Sequence, residues 1–167
     1  MVQPAGHNLA QLNIGRLVAD PGDPAVADFV EAIDRVNGLG KRMPGFVWMM
    51  GGSGAPNAGN LETKIDDDPR FVSNLTVWTD AASLENFVWN TVHRQFYERR
   101  AEWFRVMDGM HLVMWWVPEG HEPTLEEGLA RLAHLEEQGD SDHAFGWRWL
   151  QDANLWRTHQ CGAVAAE

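Results

Sequence analysis

Residues 8–17, NLAQLNIGRL, alternate in character: Ala10, Leu12 and Ile14 share one face, and Gln11, Asn13 and Gly15 share the other. That period of two predicts a strand. The period then changes. Val26, Phe29, Val30, Ile33 and Val36 recur at helical spacing behind Asp23, a suitable N-cap, and Pro24, which suits the first helical position. Gly38 or Gly40 can end this helix. GFVWMM (45–50) predicts a short strand, apolar on both faces. GGSGAPNAGN (51–60) predicts a flexible surface loop, LETKI (61–65) a hairpin arm and DDDP (66–69) a turn. RFVSNLTVW (70–78) carries β-branched and aromatic residues on both faces and predicts a further strand, after which Asp80 caps a helix.

The helical region that follows is out of phase with itself. Leu84, Phe87 and Val88 form one apolar group, and Val92, Phe96, Trp103 and Phe104 another. At about 100° per residue the two groups point nearly opposite ways. One straight helix cannot bury both, so a break is predicted near Asn90–Thr91. Beyond the turn at Asp108–Gly109, HLVMWWV (111–117) predicts a strand with Trp115 and Trp116 on opposite faces. Thr124 and Glu127 form a capping box for a last helix with Leu125, Leu129, Leu132 and Leu135 as its stripe, ended by Gly139. AFGWRWL (144–150) is expected as an edge strand or an arm.

The predicted order is β-α-β-β-α-β with an extra C-terminal helix, an α+β chain on the ferredoxin-like plan. Residues 8–150 are expected to form one domain and 151–167 a tail whose last ten residues fray. In this plan the helices cover one face of the sheet. Strands that are apolar on both faces need a second cover, and the expectation is a second subunit packed sheet to sheet, giving a homodimer that closes into a dimeric α/β barrel.

Composition narrows the function classes. The 167 residues carry a formal charge of −11, against a nucleic-acid surface. The single cysteine, Cys161, cannot form an internal disulfide and has no base near it in sequence. No apolar run approaches a membrane span and no secretory signal is visible, so a cytoplasmic location is expected. Glycines at 51–60 lack the Lys-Ser/Thr ending of a phosphate loop. No His-x3-His, Glu-x-x-His or Cys-x-x-Cys spacing is present, so no metal site is expected.

The stretch from Trp89 to His121 holds four of the nine tryptophans and the one tyrosine. His93 and Tyr97 share a helix face, with Arg100 beyond them. A histidine titrates near neutral pH, so His93 can serve as acid or base, with Tyr97 and Arg100 steadying developing charge. The same histidine can instead be a haem ligand, or a packing residue bonded to a backbone carbonyl. Asn13 and Asn74 sit mid-strand, where an amide must find a partner; they bond each other or orient a substrate. Trp48, Trp89 and Trp115 or Trp116 are the expected apolar lining.

LAQLNIGRL, PGFVWMM, SNLTVWTDAASLENFV, the HRQFYERRAEWF run and MDGMHLVMWWVPEGHEPTLEEGLARL together resemble a bacterial family of unknown function in the dimeric α/β-barrel superfamily. The resemblance implies a ferredoxin-like subunit dimerised through its sheet. It also implies kinship with cofactor-free monooxygenases, haem-degrading and other haem enzymes, isomerases and cyclases. In the haem-degrading members a histidine on the second main helix binds the iron, and His93 lies in the comparable region. Three readings follow. The first is a cofactor-independent lyase, isomerase or monooxygenase acting on a small apolar, aromatic molecule. The second is a haem protein using His93. The third is a non-catalytic dimer that binds a small hydrophobic ligand.

Overall fold

The computed structural model describes residues 1–63, 65–151 and 155, so most of the expected tail, including Cys161, lies outside the described residues. Four strands, β1 (His7–Arg16), β2 (Phe46–Met49), β3 (Phe71–Trp78) and β4 (Leu112–Pro118), form an open sheet. The order is β2-β3-β1-β4 and every neighbouring pair is antiparallel. The helices are α1 (Ala27–Gly40), α2 (Ala58–Leu61), α3 (Ala81–Asn90), α4 (His93–Trp103) and α5 (Leu125–Gln138). The chain is therefore α+β, and its strand order is compatible with the ferredoxin-like plan.

Local chemistry accounts for the element starts. The Asp23 carboxylate accepts from Ala25 N at 2.8 Å, and Pro24 opens a short 3-10 turn that leads into α1. Asp80 accepts from Ser83 N at 2.7 Å to start α3. The predicted break between α3 and α4 is present. Thr91 is extended, its hydroxyl donates to Phe87 O at 2.6 Å, and the same oxygen accepts from His93 N at 3.2 Å. One side chain thus ends the first helix and begins the second.

Both faces of the sheet are covered by this one chain. Ala10, Leu12, Ile14, Leu75, Val77, Val113, Trp115 and Val117 form one face, buried against Leu132 and Leu135 of α5, with Leu125 and Leu129 packed alongside. The opposite face holds two clusters. Leu9, Trp78 and Met114 pack with Ala81, Leu84 and Phe87 of α3, and Val72 packs with Leu17, Val26 and Trp103 near the end of α4. The extra helix α5 takes the place expected for a second subunit, so the double apolar character of the strands gives no reason for a sheet-to-sheet dimer. The apolar stripe of α5 shows that this helix must pack on something, but the stripe does not name the face it packs on.

Three smaller expectations meet the structure in different ways. LETKI is no hairpin arm: Leu61 ends α2, which lies against β3 where β2 has stopped. There Asn60 Nδ2 donates to the Ser73 carbonyl at 2.7 Å, and the Thr63 and Ser73 hydroxyls bond each other. AFGWRWL makes a single antiparallel bridge, Phe145 to Met114, and then a 3-10 turn at Trp147–Trp149, so it is an arm along the β4 edge. Thr124 does cap α5, accepting from Glu127 N at 3.2 Å. The Glu127 carboxylate, however, accepts from the buried Trp115 Nε1 at 2.9 Å and pairs with His121 Nε2 at 2.8 Å.

Gly128 sets how closely α5 approaches the sheet. A Cβ there would lie 2.8 Å from Leu12 Cδ2 and 3.4 Å from the Trp115 ring. A branched side chain must push α5 off the sheet, and overpacking of this kind costs about 1–3 kcal/mol. Gly128→Val is expected to lower the melting temperature by roughly 2–4 °C per kcal/mol lost, read by circular dichroism. An unchanged melting temperature would show that α5 does not seat on Leu12 and Trp115.

Candidate functional site

Strand parity places Gln11 and Asn13 of β1 and Asn74 and Thr76 of β3 on the α3/α4 face, because they alternate with residues under α5 and share a side with Leu9 and Trp78. In register, Gln11 lies beside Thr76 and Asn13 beside Asn74. These four form a polar band between the two apolar clusters of that face. Its inner half is closed: Thr76 Oγ1 donates to Gln11 Oε1 at 3.1 Å and accepts from Trp78 Nε1 at 3.0 Å. Its outer half is open. Asn13 is exposed although β1 is a central strand under a helical layer, and Asn74 and Leu112 beside it are half-buried.

The opening follows from the broken helix. α3 covers the Leu9 and Trp78 end, and Phe104 at the end of α4 covers the other end, where a Cβ on Gly15 would fall 2.7 Å from the Phe104 ring. Two short helices with a corner at Thr91 pack on the two ends of the face, and among the described residues Asn13 between them is exposed. Asn74 Nδ2 lies 3.5 Å from Asn37 Oδ1 of α1, and Asn37 Nδ2 donates to Asn60 Oδ1 at 2.7 Å, so the Asn74 amide is steadied from the α1 side. Asn13 and Asn74 are neighbours in register, but the amide that Asn74 meets is that of Asn37.

The His111 carbonyl accepts from Ile14 N at 2.9 Å, so the register sets His111 opposite Ile14 of the α5 face and not beside Asn13. Arg100 lies near enough for its charge to oppose protonation of His111, an effect second to the desolvation that lowers the His111 pKa. The Arg100 guanidinium sits 4.2 Å from the Tyr97 ring centroid and donates from NH1 to Tyr97 O at 2.8 Å. Tyr97 in turn meets Trp89 edge-on at 4.9 Å. Trp89, Tyr97 and Arg100 are thus brought together.

The other expected site residues are placed elsewhere. The His93 ring packs on Phe87 at 4.9 Å, and Phe87 stacks on Trp78 at 5.4 Å, so His93 is the outermost ring of an aromatic stack at the α3–α4 corner. Desolvation pushes its pKa below the usual histidine value, and the Val88 carbonyl acts weakly the other way. Trp115 is fully buried beneath α5, and half-buried Trp48 packs on that same cluster. Trp116 lines a cleft of about 80 Å3 with Met1, Gln3, Asp80 and Leu150. A more open cleft of about 330 Å3 lies between the glycine-rich loop and α5, lined by Met50, Ser53, Glu62, Thr63, Leu125 and Glu126. Neither cleft includes His93, Tyr97 or Arg100.

Three residues of interest escape a reading by pattern. His111 looks like no more than a strand start. Asn37 carries none, because a polar residue on a helix is ordinary. Glu85 on α3 is the one buried acidic side chain among the described residues, and its neighbours in sequence do not mark it. Among the described residues no group of three or more His, Cys, Asp or Glu could hold a metal ion, and no helix is long and apolar enough to cross a membrane.

The fold and groove define an α+β protein with a sheet-floored opening beneath a broken helix. The chain belongs to the family described as Domain of unknown function (DUF3291), whose model matches residues 8–161. No functionally curated protein matches it. A solved protein of unknown function from Nitrosomonas europaea, NE2512, is similar at 12% identity and a TM-score of 0.44, covering 72% of this chain and 97% of its own. These findings overturn the resemblance to the dimeric α/β-barrel superfamily: the family that matches has no assigned activity, and nothing links it to the monooxygenases. Short aromatic-rich strand and helix motifs follow from covering a four-stranded sheet, so they do not distinguish one such family from another. The transfer of a haem-ligand role to His93 by that resemblance falls with it.

Burial makes His93 a source of pH dependence. Its folded pKa is lowered, so the unfolded chain takes up a proton first as pH falls. The stability it contributes is fully present above the unfolded value near 6.5 and is lost as pH drops through the folded value. Between about pH 8 and pH 5 the wild-type melting temperature is expected to fall more than that of His93→Phe, which keeps a ring on Phe87. Parallel curves would show that folding leaves the His93 pKa unchanged.

Proposed function

We propose that the protein binds a small organic molecule in the groove floored by Asn13 and Asn74, on a sheet whose order we read as the ferredoxin-like plan. The observation that carries this is the exposed Asn13 on a central, helix-covered strand. Covered central positions are normally filled with apolar side chains. Here two amides and Leu112 meet solvent, which gives a ligand an apolar contact and fixed hydrogen-bond partners at once. Tyr97, exposed on α4, would supply aromatic surface that suits a planar ring. Wild-type protein is expected to gain several degrees of thermal stability with at least one of a set of small aromatic amides, phenols and carboxylates, by mass action on the folded state. Asn13→Leu and Asn74→Leu are expected to remove that gain while folding normally. Binding that survives both substitutions would place the ligand elsewhere.

A second reading, cofactor-free acid–base catalysis, is favoured by the depressed pKa of His93, which keeps its ring a neutral proton acceptor at about pH 7. Tyr97 and Arg100 follow on the same helix face and would steady the charge left on a deprotonated substrate. This reading expects wild-type protein to speed exchange of acidic C–H protons in aromatic keto acids or phenols, followed by NMR in deuterated buffer, and His93→Ala to lose the acceleration. Equal exchange with and without protein across both compound classes would end it.

A further inference from the structure

A chain of three asparagines fixes which atom Asn74 offers to the groove. It starts at Asn60, a buried residue of α2 whose Nδ2 donates to the Ser73 carbonyl at 2.7 Å. A backbone carbonyl only accepts, so the Asn60 amide must keep its nitrogen toward Ser73 and its oxygen away. That oxygen accepts from Asn37 Nδ2 at 2.7 Å. The nitrogen of Asn37 is thus committed to Asn60, and its oxygen is left for Asn74, whose Nδ2 lies 3.5 Å from it. Turning the Asn74 amide over would set two oxygens against each other. The polarity of one carbonyl on β3 therefore passes through three side chains to the floor of the groove.

The free end of the chain is Asn74 Oδ1. Among the described residues it accepts no hydrogen bond, and it is not buried, so it meets solvent. Asn13 lies opposite Asn74 in the β1–β3 register, with its side chain exposed. Among the described residues the Asn13 amide makes no side-chain hydrogen bond, so either of its ends can turn to a ligand. Residues directly opposite in an antiparallel pair hold their Cβ atoms about 4.5–5.5 Å apart, within reach of one edge of a small ring. The floor therefore combines one fixed acceptor with one adaptable amide. The adaptable amide does not discriminate. The fixed acceptor does, because a ligand with only oxygens on that edge leaves Asn74 Oδ1 facing another acceptor.

We propose that the groove takes a small planar lactam, its ring N–H donated to Asn74 Oδ1 and its adjacent carbonyl accepting from the Asn13 amide. The assignment rests on the binding reading above and names the ligand class for the same site. Asn37 is a positioning residue in this scheme: it touches no ligand and holds Asn74 with the oxygen outward.

Two isomeric probes isolate the donor: α-pyridone methylated on a ring carbon, and α-pyridone methylated on the ring nitrogen. They match in size and charge, and only the first has an N–H. Each is titrated by calorimetry against wild type, Asn37→Ala and Asn13→Leu. The carbon-methylated lactam is expected to bind wild type about tenfold more tightly than its isomer, as one hydrogen bond implies. Asn37→Ala frees Asn74 to turn its Nδ2 outward. The preference is then expected to fall to about threefold or less, with the nitrogen-methylated isomer bound at least as tightly as by wild type, which lost packing alone would not produce. The wild-type comparison decides the donor assignment without any variant. Equal binding of the two isomers to wild type, lost in Asn13→Leu, overturns that assignment and leaves the groove reading standing. A preference that persists unchanged in Asn37→Ala overturns the positioning role of Asn37. If neither isomer binds, the lactam assignment fails, and the groove reading fails with it when no compound of the wider set gives an Asn13-dependent thermal shift. Binding of both isomers that is unchanged in Asn13→Leu overturns both readings.

Discussion

A sheet whose strands are apolar on both faces must be covered twice, and in this chain both covers come from the same polypeptide. α5 lies on one face because Gly128 leaves no side chain between it and Leu12, and because Glu127 meets the one polar atom that Trp115 carries into that core. The second face is covered by α3 and α4, and their arrangement follows from a phase mismatch in sequence. Leu84 and Phe87 cannot point the same way as Phe96 and Trp103 on one straight helix, so the helix breaks and Thr91 satisfies backbone groups on both sides of the corner. Everything that distinguishes the second face depends on that corner.

A continuous helix would have laid one apolar stripe over β1 and β3, and Asn13 and Asn74 would then have been buried amides in need of partners. With the break, each short helix packs its own cluster and the polar band lies between them. The amides are stable there because they are not fully desolvated: Asn13 meets water, and Asn74 leans on Asn37. The two histidines of this region are also separated. His93 begins α4 and is drawn into the corner against Phe87, while His111 precedes β4, opposite Ile14 of the α5 face.

Much of this is legible in the sequence. The alternation in β1, the capping residues Asp23, Asp80 and Thr124, the helix break and the opposed faces of Trp115 and Trp116 are all local signals, and local signals survive folding. What the sequence does not reveal is which element covers which face. The stripe Leu125, Leu129, Leu132 and Leu135 announces an amphipathic helix but not its partner, which is why the second face suggests another subunit. The aromatic density of residues 89–121 likewise suggests one pocket. In fact Trp89 lies against Tyr97 of α4, Trp115 beneath α5 and Trp116 beside Met1, because consecutive strand residues point to opposite sides of a sheet.

Chemical prominence in a sequence also differs from chemical availability in a fold. His93 draws attention because it stands among aromatic residues, and those same residues desolvate it. Asn13 draws less because an amide on an alternating strand is unremarkable, yet it is the side chain that a ligand can reach.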